Sequence, residues 1–135
     1  MLFRSDFNFH FCGLIGLADP LRPTVRPAIA ECHAAGIRVI MITGDYPATA
    51  LSIARQCGLD SGDGVITGAQ LDALDDAQLQ QRLHQTNIFC RVQPEQKLRL
   101  VQALKKAGEI VAMTDRKSTR LNSSHIQKSR MPSSA

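Results

Sequence analysis

Two polar segments, each placed where an apolar run stops, carry residue types suited to holding a phosphoryl group. In "IRVIMITGD", Ile37 to Asp45, Thr43 follows a run that is apolar except for Arg38 and too short for a helix. It reads as a strand buried on both faces, with Thr43 at its C-terminal end. In "IFCRVQPEQK", Ile88 to Lys97, a second strand ends in a polar loop, and Lys97 lies one turn into the helix that Pro94 starts. Ligands of open α/β sheets bind at such strand ends, where backbone N–H groups are free and the next helix directs its positive end at the gap. A hydroxyl and an ammonium on adjacent strand ends reach one phosphoryl group together, with the Thr43 and Gly44 amides as further donors. Each piece alone has a structural reading. Thr, Gly and Asp are ordinary βα-loop residues, and Lys97 is open to being a solvated helix lysine like Lys105 and Lys106. A cation in a first turn opposes the helix dipole, which makes a purely structural Lys97 less natural.

The elements that must position these residues alternate in type. A strand is expected over Phe11 to Leu17, then a helix from about Thr24 to Ala35 with Val25, Ile29 and Cys32 inward. Strand Ile37 to Ile42 follows, then helix Pro47 to Cys57, capped by Asp45, with Ala50, Ile53, Ala54 and Cys57 on one face and Gly58 closing it. "GVIT" is a short strand, and Asp75 to His84 reads as a helix through Leu79 and Leu83. Strand Ile88 to Val92 precedes a helix from Pro94 to Ala107 whose inward residues are expected to be Leu98, Val101 and Leu104, and "EIVAMT" starts a last strand. Such alternation predicts an α/β fold, a Rossmann-like, mainly parallel sheet with helices on both faces. Beyond Thr114 neither period survives, so the domain reads as incomplete.

Charge and composition narrow the classes. The formal net charge is +4, but residues 1–115 hold eleven Lys and Arg against twelve acids, a net −1. The excess lies in Arg116, Lys117, Arg120, Lys128 and Arg130, in a Ser-rich tail with no aromatic to stack a base. That tail reads as disordered, and no specific nucleic acid is expected as a partner. No run approaches the roughly 18 apolar residues of a membrane span, and the first residues lack signal-peptide form, so the chain taken alone is expected to be soluble. Cys12, Cys32, Cys57 and Cys90 form no CxxC pair and read as reduced, buried thiols. The four histidines show no metal-ligand spacing, and no metal site is expected.

"GLADPLRPTVRPAIAECHAAGIRVIMITGD" followed by "FCRVQPEQKLRLVQALKKAGEIVAMT" resembles the second half of the phosphorylation domain of cation-transporting P-type ATPases, members of the haloacid dehalogenase-like superfamily. The match runs from about Phe11 to Thr114, and the ordered set D-P-x-R-P, T-G-D and F-x-R-V-x-P-x-Q-K points to the calcium-pump-like branch. The resemblance implies that Thr43 bonds phosphoryl oxygens, Gly44 supplies backbone, and Asp45 holds the loop and faces nucleotide. It implies that Lys97 neutralises an aspartyl phosphate, Arg91 approaches the ATP phosphates, and Asp19 with Arg22 forms the hinge to a nucleotide domain. The family's phosphorylated aspartate, in D-K-T-G-T, and its Mg²⁺-holding acids, in G-D-G-x-N-D, are absent from this sequence. Gly62-Asp63-Gly64 precedes a strand instead of following one, which turns its acid away from the pocket. Asp115 lies one residue early and leads into unrelated sequence, so no metal role is carried onto it.

The division expected is a non-native or disordered lead over 1–10, the C-terminal half of the phosphorylation domain over 11–114, and a disordered, foreign tail over 115–135. "LFRS" and "DRKSTRLNSSH" resemble translated sequencing adapter. The leading reading is a catalytically incomplete piece of an ATP-driven cation pump. Its full-length parent would use ATP and Mg²⁺, pass through an aspartyl phosphate, and sit in a membrane with this domain on the cytoplasmic side. The partners implied are nucleotide phosphates and the parent's nucleotide-binding and transmembrane domains. The alternatives are a soluble phosphatase of the same superfamily, or a non-catalytic nucleotide- or phosphate-binding module.

Overall fold

Residues 8–114 are described by the computed structural model of the chain, in the order α1 (Val25–Ala34), β1 (Met41–Ile42), α2 (Pro47–Cys57), β2 (Val65–Thr67), α3 (Gly68–Ala73), α4 (Asp76–Gln85), β3 (Ile88–Cys90) and α5 (Pro94–Lys106). Prolines at the first helical position open α2 and α5, where a missing N–H costs nothing. Gly58 ends α2 at φ 74°, a left-handed value that glycine adopts without a Cβ clash. Helix α3 starts directly from β2 through a capping box in which Thr67 and Gln70 satisfy each other's backbone N–H. This helix is additional to the elements expected from the sequence, although its Thr-x-x-Gln signal is local.

The sheet is parallel, with β3 between β1 and β2. Alternation along β3 divides the core in two, because successive side chains point to opposite faces. Phe89 packs with Ile66 of β2 and with Leu71, Leu79, Leu83, Leu100 and Ala103 of α3, α4 and α5. Ile88 and Cys90 pack on the other face against Ala50, Ala54 and Cys57 of α2 and against Leu59, with Val25 and Ile29 of α1 beside them. The same alternation runs through Val39, Ile40, Met41 and Ile42, whose odd residues join the α1/α2 layer and whose even ones join the α3–α5 layer. Helices therefore cover both faces, as the alternation of elements predicts. The buried thiols of Cys57 and Cys90 are pushed above the ordinary cysteine range by burial; for Cys90 a backbone hydrogen bond and the Arg91 charge oppose that rise.

Several expectations need correction. Phe11 to Leu17 forms no strand, and Leu14, Ile15 and Leu17 are each more than nine-tenths exposed. The "EIVAMT" segment is also irregular, with Ile110 95% exposed. A strand persists only where a neighbour pairs its N–H and C=O groups, and neither segment is paired into this sheet. The strand expected over Ile37 to Ile42 contracts to Met41–Ile42, and Ile37 is 57% exposed. In α5 the buried residues are Leu100 and Ala103, while Leu98 lies on the exposed side. Cys12 is exposed, not a buried thiol. The expected disordered tail over 115–135, and most of the expected lead, lie outside the described residues.

Arg38, the one charged residue of its apolar run, closes the N-terminal end of the sheet. Its Nη2 donates to the carbonyls of Leu83 and Thr86, and its Nε to Asn87 Oδ1 at 2.8 Å. These are acceptors at the C-terminal end of α4, which a cation also stabilises through the helix dipole. Arg99 does the same for α3, donating to the Leu71 and Leu74 carbonyls at 2.7 Å each. Replacing Arg38 with Ala leaves those acceptors without their charged donor. The expected loss is about 1–2 kcal/mol in chemical denaturation, with the Lys variant recovering only part because it lacks the forked donors. Gly68 is buried, and a Cβ there would overlap the Arg91 carbonyl oxygen and crowd Gln96 Oε1. Gly68→Ala is expected to cost roughly 1–3 kcal/mol and to shift the amide resonances of residues 91–93. An unchanged denaturation midpoint would show that this packing is looser than described.

Candidate functional site

Hydrogen bonding between β1 and β3 continues past both strands and ties their C-terminal loops together. Thr43 N–H donates to the Phe89 carbonyl at 2.9 Å, and Val92 N–H donates to the Thr43 carbonyl at 3.1 Å. Arg91 N–H then reaches the Asp45 carbonyl at 3.1 Å. Within the first loop, Asp45 N–H donates to Thr43 Oγ1 at 3.1 Å, closing a tight turn. Thr43, Gly44, Asp45 and Arg91 are thus brought together. One expectation fails in detail: the Thr43 amide is used in the ladder and is not a free donor. The Gly44 amide has no partner among the described residues, and the Thr43 hydroxyl keeps its own proton to donate.

Asp45 does not cap α2. Tyr46 occupies the N-cap position, with extended backbone and no side-chain cap bond. The first N–H groups of α2 therefore remain open toward the gap, at the positive end of the helix. Arg91 has φ 53°, the one left-handed value at a non-glycine residue in the described chain. Its Nη1 lies 3.4 Å from the Gly44 carbonyl, and its guanidinium carbon stands 4.7 Å from the centre of the Tyr46 ring. Tyr46 escaped the sequence reading because an aromatic residue after T-G-D has no local signature.

Lys97 sits in the first turn of α5, whose start is fixed by Gln96: its Oε1 accepts from Gln93 N–H at 2.9 Å. Gln96 Nε2 donates to the Gly68 carbonyl at 3.1 Å and to Asp72 Oδ2 at 2.7 Å, pinning α5 to the end of β2. Lys97 is half-buried and its side chain makes no hydrogen bond or ion pair among the described residues, whereas Lys105 and Lys106 are exposed and Lys106 lies 3.8 Å from Asp76. The solvated-lysine reading fits Lys105 and Lys106 better than Lys97.

Asp19 and Arg22 lie in the segment leading into α1, where the Arg22 carbonyl accepts from Val25 N–H at 3.1 Å. Asp63 sits at the opposite end of the sheet, its N–H bonded to the Gln85 carbonyl at 2.9 Å while Gly62 bridges to Thr86, so this acid is remote from the strand-end loops. A surface depression of about 460 Å³ lies between α4 and α5, lined by Asp76, Gln80, Arg99 and Lys106 among others. Its acid is already paired with Arg99 and Lys106, and it is not at the strand ends. No group of three or more His, Cys, Asp or Glu residues suited to a metal occurs among the described residues. The strand-end loops thus offer donors for an anion.

The pattern of the haloacid dehalogenase-like hydrolases matches residues 2–115. The chain is 42% identical over 108 residues to calcium-transporting ATPase 1 of Bacillus cereus, covering 79% of this chain and 12% of that protein. It is 47% identical over 107 residues to calcium-transporting ATPase 1 of Saccharomyces cerevisiae, covering 77% and 11% respectively. Probable cation-transporting ATPase F of Mycobacterium bovis is 48% identical over 107 residues, covering 76% of this chain and 12% of that protein. The chain thus spans about an eighth or less of the length of these relatives. It belongs to the haloacid dehalogenase-like hydrolase family and is similar, over most of its length, to one segment of cation-transporting P-type ATPases.

Proposed function

We propose that residues 11–114 are the C-terminal half of the phosphorylation domain of a cation-transporting P-type ATPase, and that the ends of β1 and β3 hold the phosphoryl group during its transfer. The observation that carries this reading is the adjacency of β1 and β3, which brings Thr43 and Gly44 to the same C-terminal end of the sheet as the first turn of α5, where a half-buried Lys97 has no side-chain partner among the described residues. In this reading the Thr43 O–H and Gly44 N–H donate to phosphoryl oxygens, and the Lys97 ammonium offsets their charge. Arg91 meets the nucleotide phosphates, and Asp45 keeps the loop closed and faces the nucleotide. Fixed donors aimed at a phosphoryl group lower the barrier because they need no reorganisation as charge shifts between the attacking and leaving oxygens.

The carboxylate that accepts the phosphoryl group belongs to a D-K-T-G-T segment, which this sequence does not contain. Mg²⁺, when bound with ATP, would neutralise phosphate charge; the residues here contribute the anion-binding side of the site. Asp19 and Arg22, just ahead of α1, are assigned to the hinge with a nucleotide-binding domain. The parent is an integral membrane protein that carries this domain on its cytoplasmic side. None of the helices in the described residues is long and apolar enough to cross a membrane. The soluble-phosphatase and non-catalytic-module readings gain less support, since the relatives reported above are named as ion-transporting ATPases.

The chain by itself is expected to bind ATP weakly but to form no acid-stable phosphoenzyme with γ-labelled ATP. Label appearing at Asp45 or Asp63 would overturn the division of roles proposed here. In a parent rebuilt by restoring the absent family segments, Thr43→Ala and Lys97→Ala should each lower phosphoenzyme formation by roughly 10²–10³. Their combined effect should be less than additive, because both groups act on one transition state. Lys105→Ala, from the exposed side of the same helix, should leave the rate within about twofold; equal behaviour of the two lysine variants would sink the shared phosphoryl site.

A further inference from the structure

We infer that Tyr46 is a positioning residue: its ring holds the Arg91 guanidinium in place for the phosphate groups of a nucleotide. This deepens the site reading above and rests on it. Tyr46 stands at the N-cap of α2, a position where Ser, Thr, Asn or Asp would bond the open helix N–H groups, and its side chain makes no such bond. The residue is 66% exposed and joins neither core cluster. The contact the ring does make is with Arg91, whose guanidinium carbon lies 4.7 Å from the ring centre, within cation–π range.

Arg91 is held from three sides. Its N–H is bonded to the Asp45 carbonyl at 3.1 Å, its Nη1 approaches the Gly44 carbonyl at 3.4 Å, and its guanidinium lies over Tyr46. Its backbone stays at φ 53°, a conformation a side-chain-bearing residue keeps only where its surroundings impose it. The other guanidinium N–H groups make no hydrogen bond among the described residues, which leaves a forked donor set beside the open Gly44 amide. An exposed arginine without such support loses much rotamer freedom on binding an anion. A ring that restricts it beforehand removes part of that loss, so an aromatic residue at position 46 strengthens phosphate binding without touching the ligand.

The test uses the full 135-residue chain and Mg²⁺-free ATP as the probe. Tyr46→Ala should weaken ATP binding about two- to fivefold, the range of an exposed cation–π contact, and Tyr46→Phe should restore it. In an Arg91→Ala background, Tyr46→Ala should cause no further loss. The melting temperature should not change, since the ring is outside the core. The Arg91 Nε–Hε resonance should show a ring-current shift in the wild type and in Tyr46→Phe that disappears in Tyr46→Ala. If Lys97→Ala weakens binding while Tyr46→Ala does not, the inference fails and the site reading stands. A further loss from Tyr46→Ala in the Arg91→Ala background overturns it as well. If the wild-type chain binds no ATP, the site reading fails and this inference with it.

Discussion

Because Ile88, Phe89 and Cys90 are buried on both faces of β3, the backbone of this strand has no access to water and its polar groups must be paired within the protein. Parallel neighbours on both sides meet that demand, and the alternation of its side chains assigns each helix to a layer. Everything at the functional end follows from this pairing. The β1–β3 ladder runs on through Thr43 and Val92 and then through Asp45 and Arg91, so the two loops are fastened by the same interaction that makes the sheet.

The two ends of the sheet are finished in opposite ways. At the N-terminal end, Arg38 satisfies carbonyls of Leu83 and Thr86, Asn87 bonds Arg38 and the Asp60 carbonyl, and Gly62 fits where a Cβ would overlap the Gln85 carbonyl. Polar groups there are consumed by the protein itself. At the C-terminal end the Gly44 amide, the first turn of α2, the Arg91 guanidinium N–H groups other than the one facing the Gly44 carbonyl, and the Lys97 ammonium make no hydrogen bond to protein among the described residues. Several donors and cations around one gap, with few acceptors to oppose them, favour an anion. The left-handed Arg91 and the uncapped α2 are local departures from good backbone economy, and both occur at this end.

Support for Lys97 comes from the third strand. Gln96 caps its own helix and also bonds the Gly68 carbonyl and Asp72, so the first turn of α5 is fixed relative to the end of β2 and the start of α3. Gly68 allows this approach, lying against the Arg91 carbonyl with no room for a side chain. A lysine on a turn anchored in this way presents its charge with less wandering than one on a free helix surface, which is what separates it from Lys105 and Lys106.

The sequence by itself determined the periodic part of the molecule. Helices α1, α2, α4 and α5 lie within one or two residues of their expected limits, because proline, glycine and apolar spacing are local signals. It also pointed to Thr43 and Lys97, since a polar residue after an apolar run marks a strand end. Tertiary structure alone decided the rest. Phe11 to Leu17 and "EIVAMT" have strand-like composition but no partner in this sheet, and pairing is a property of two segments. The inward face of α5 turned on Leu100 and Ala103 instead of Leu98, because the rotation of a helix is set by what it packs against. That Arg38 caps a helix from a distant segment, that the Thr43 amide is used in the ladder, and that Tyr46 meets Arg91 all depend on strand order β1-β3-β2. No local pattern encodes that order, because it arises from pairing of Ile88 with both Met41 and Val65, residues far from it in the chain.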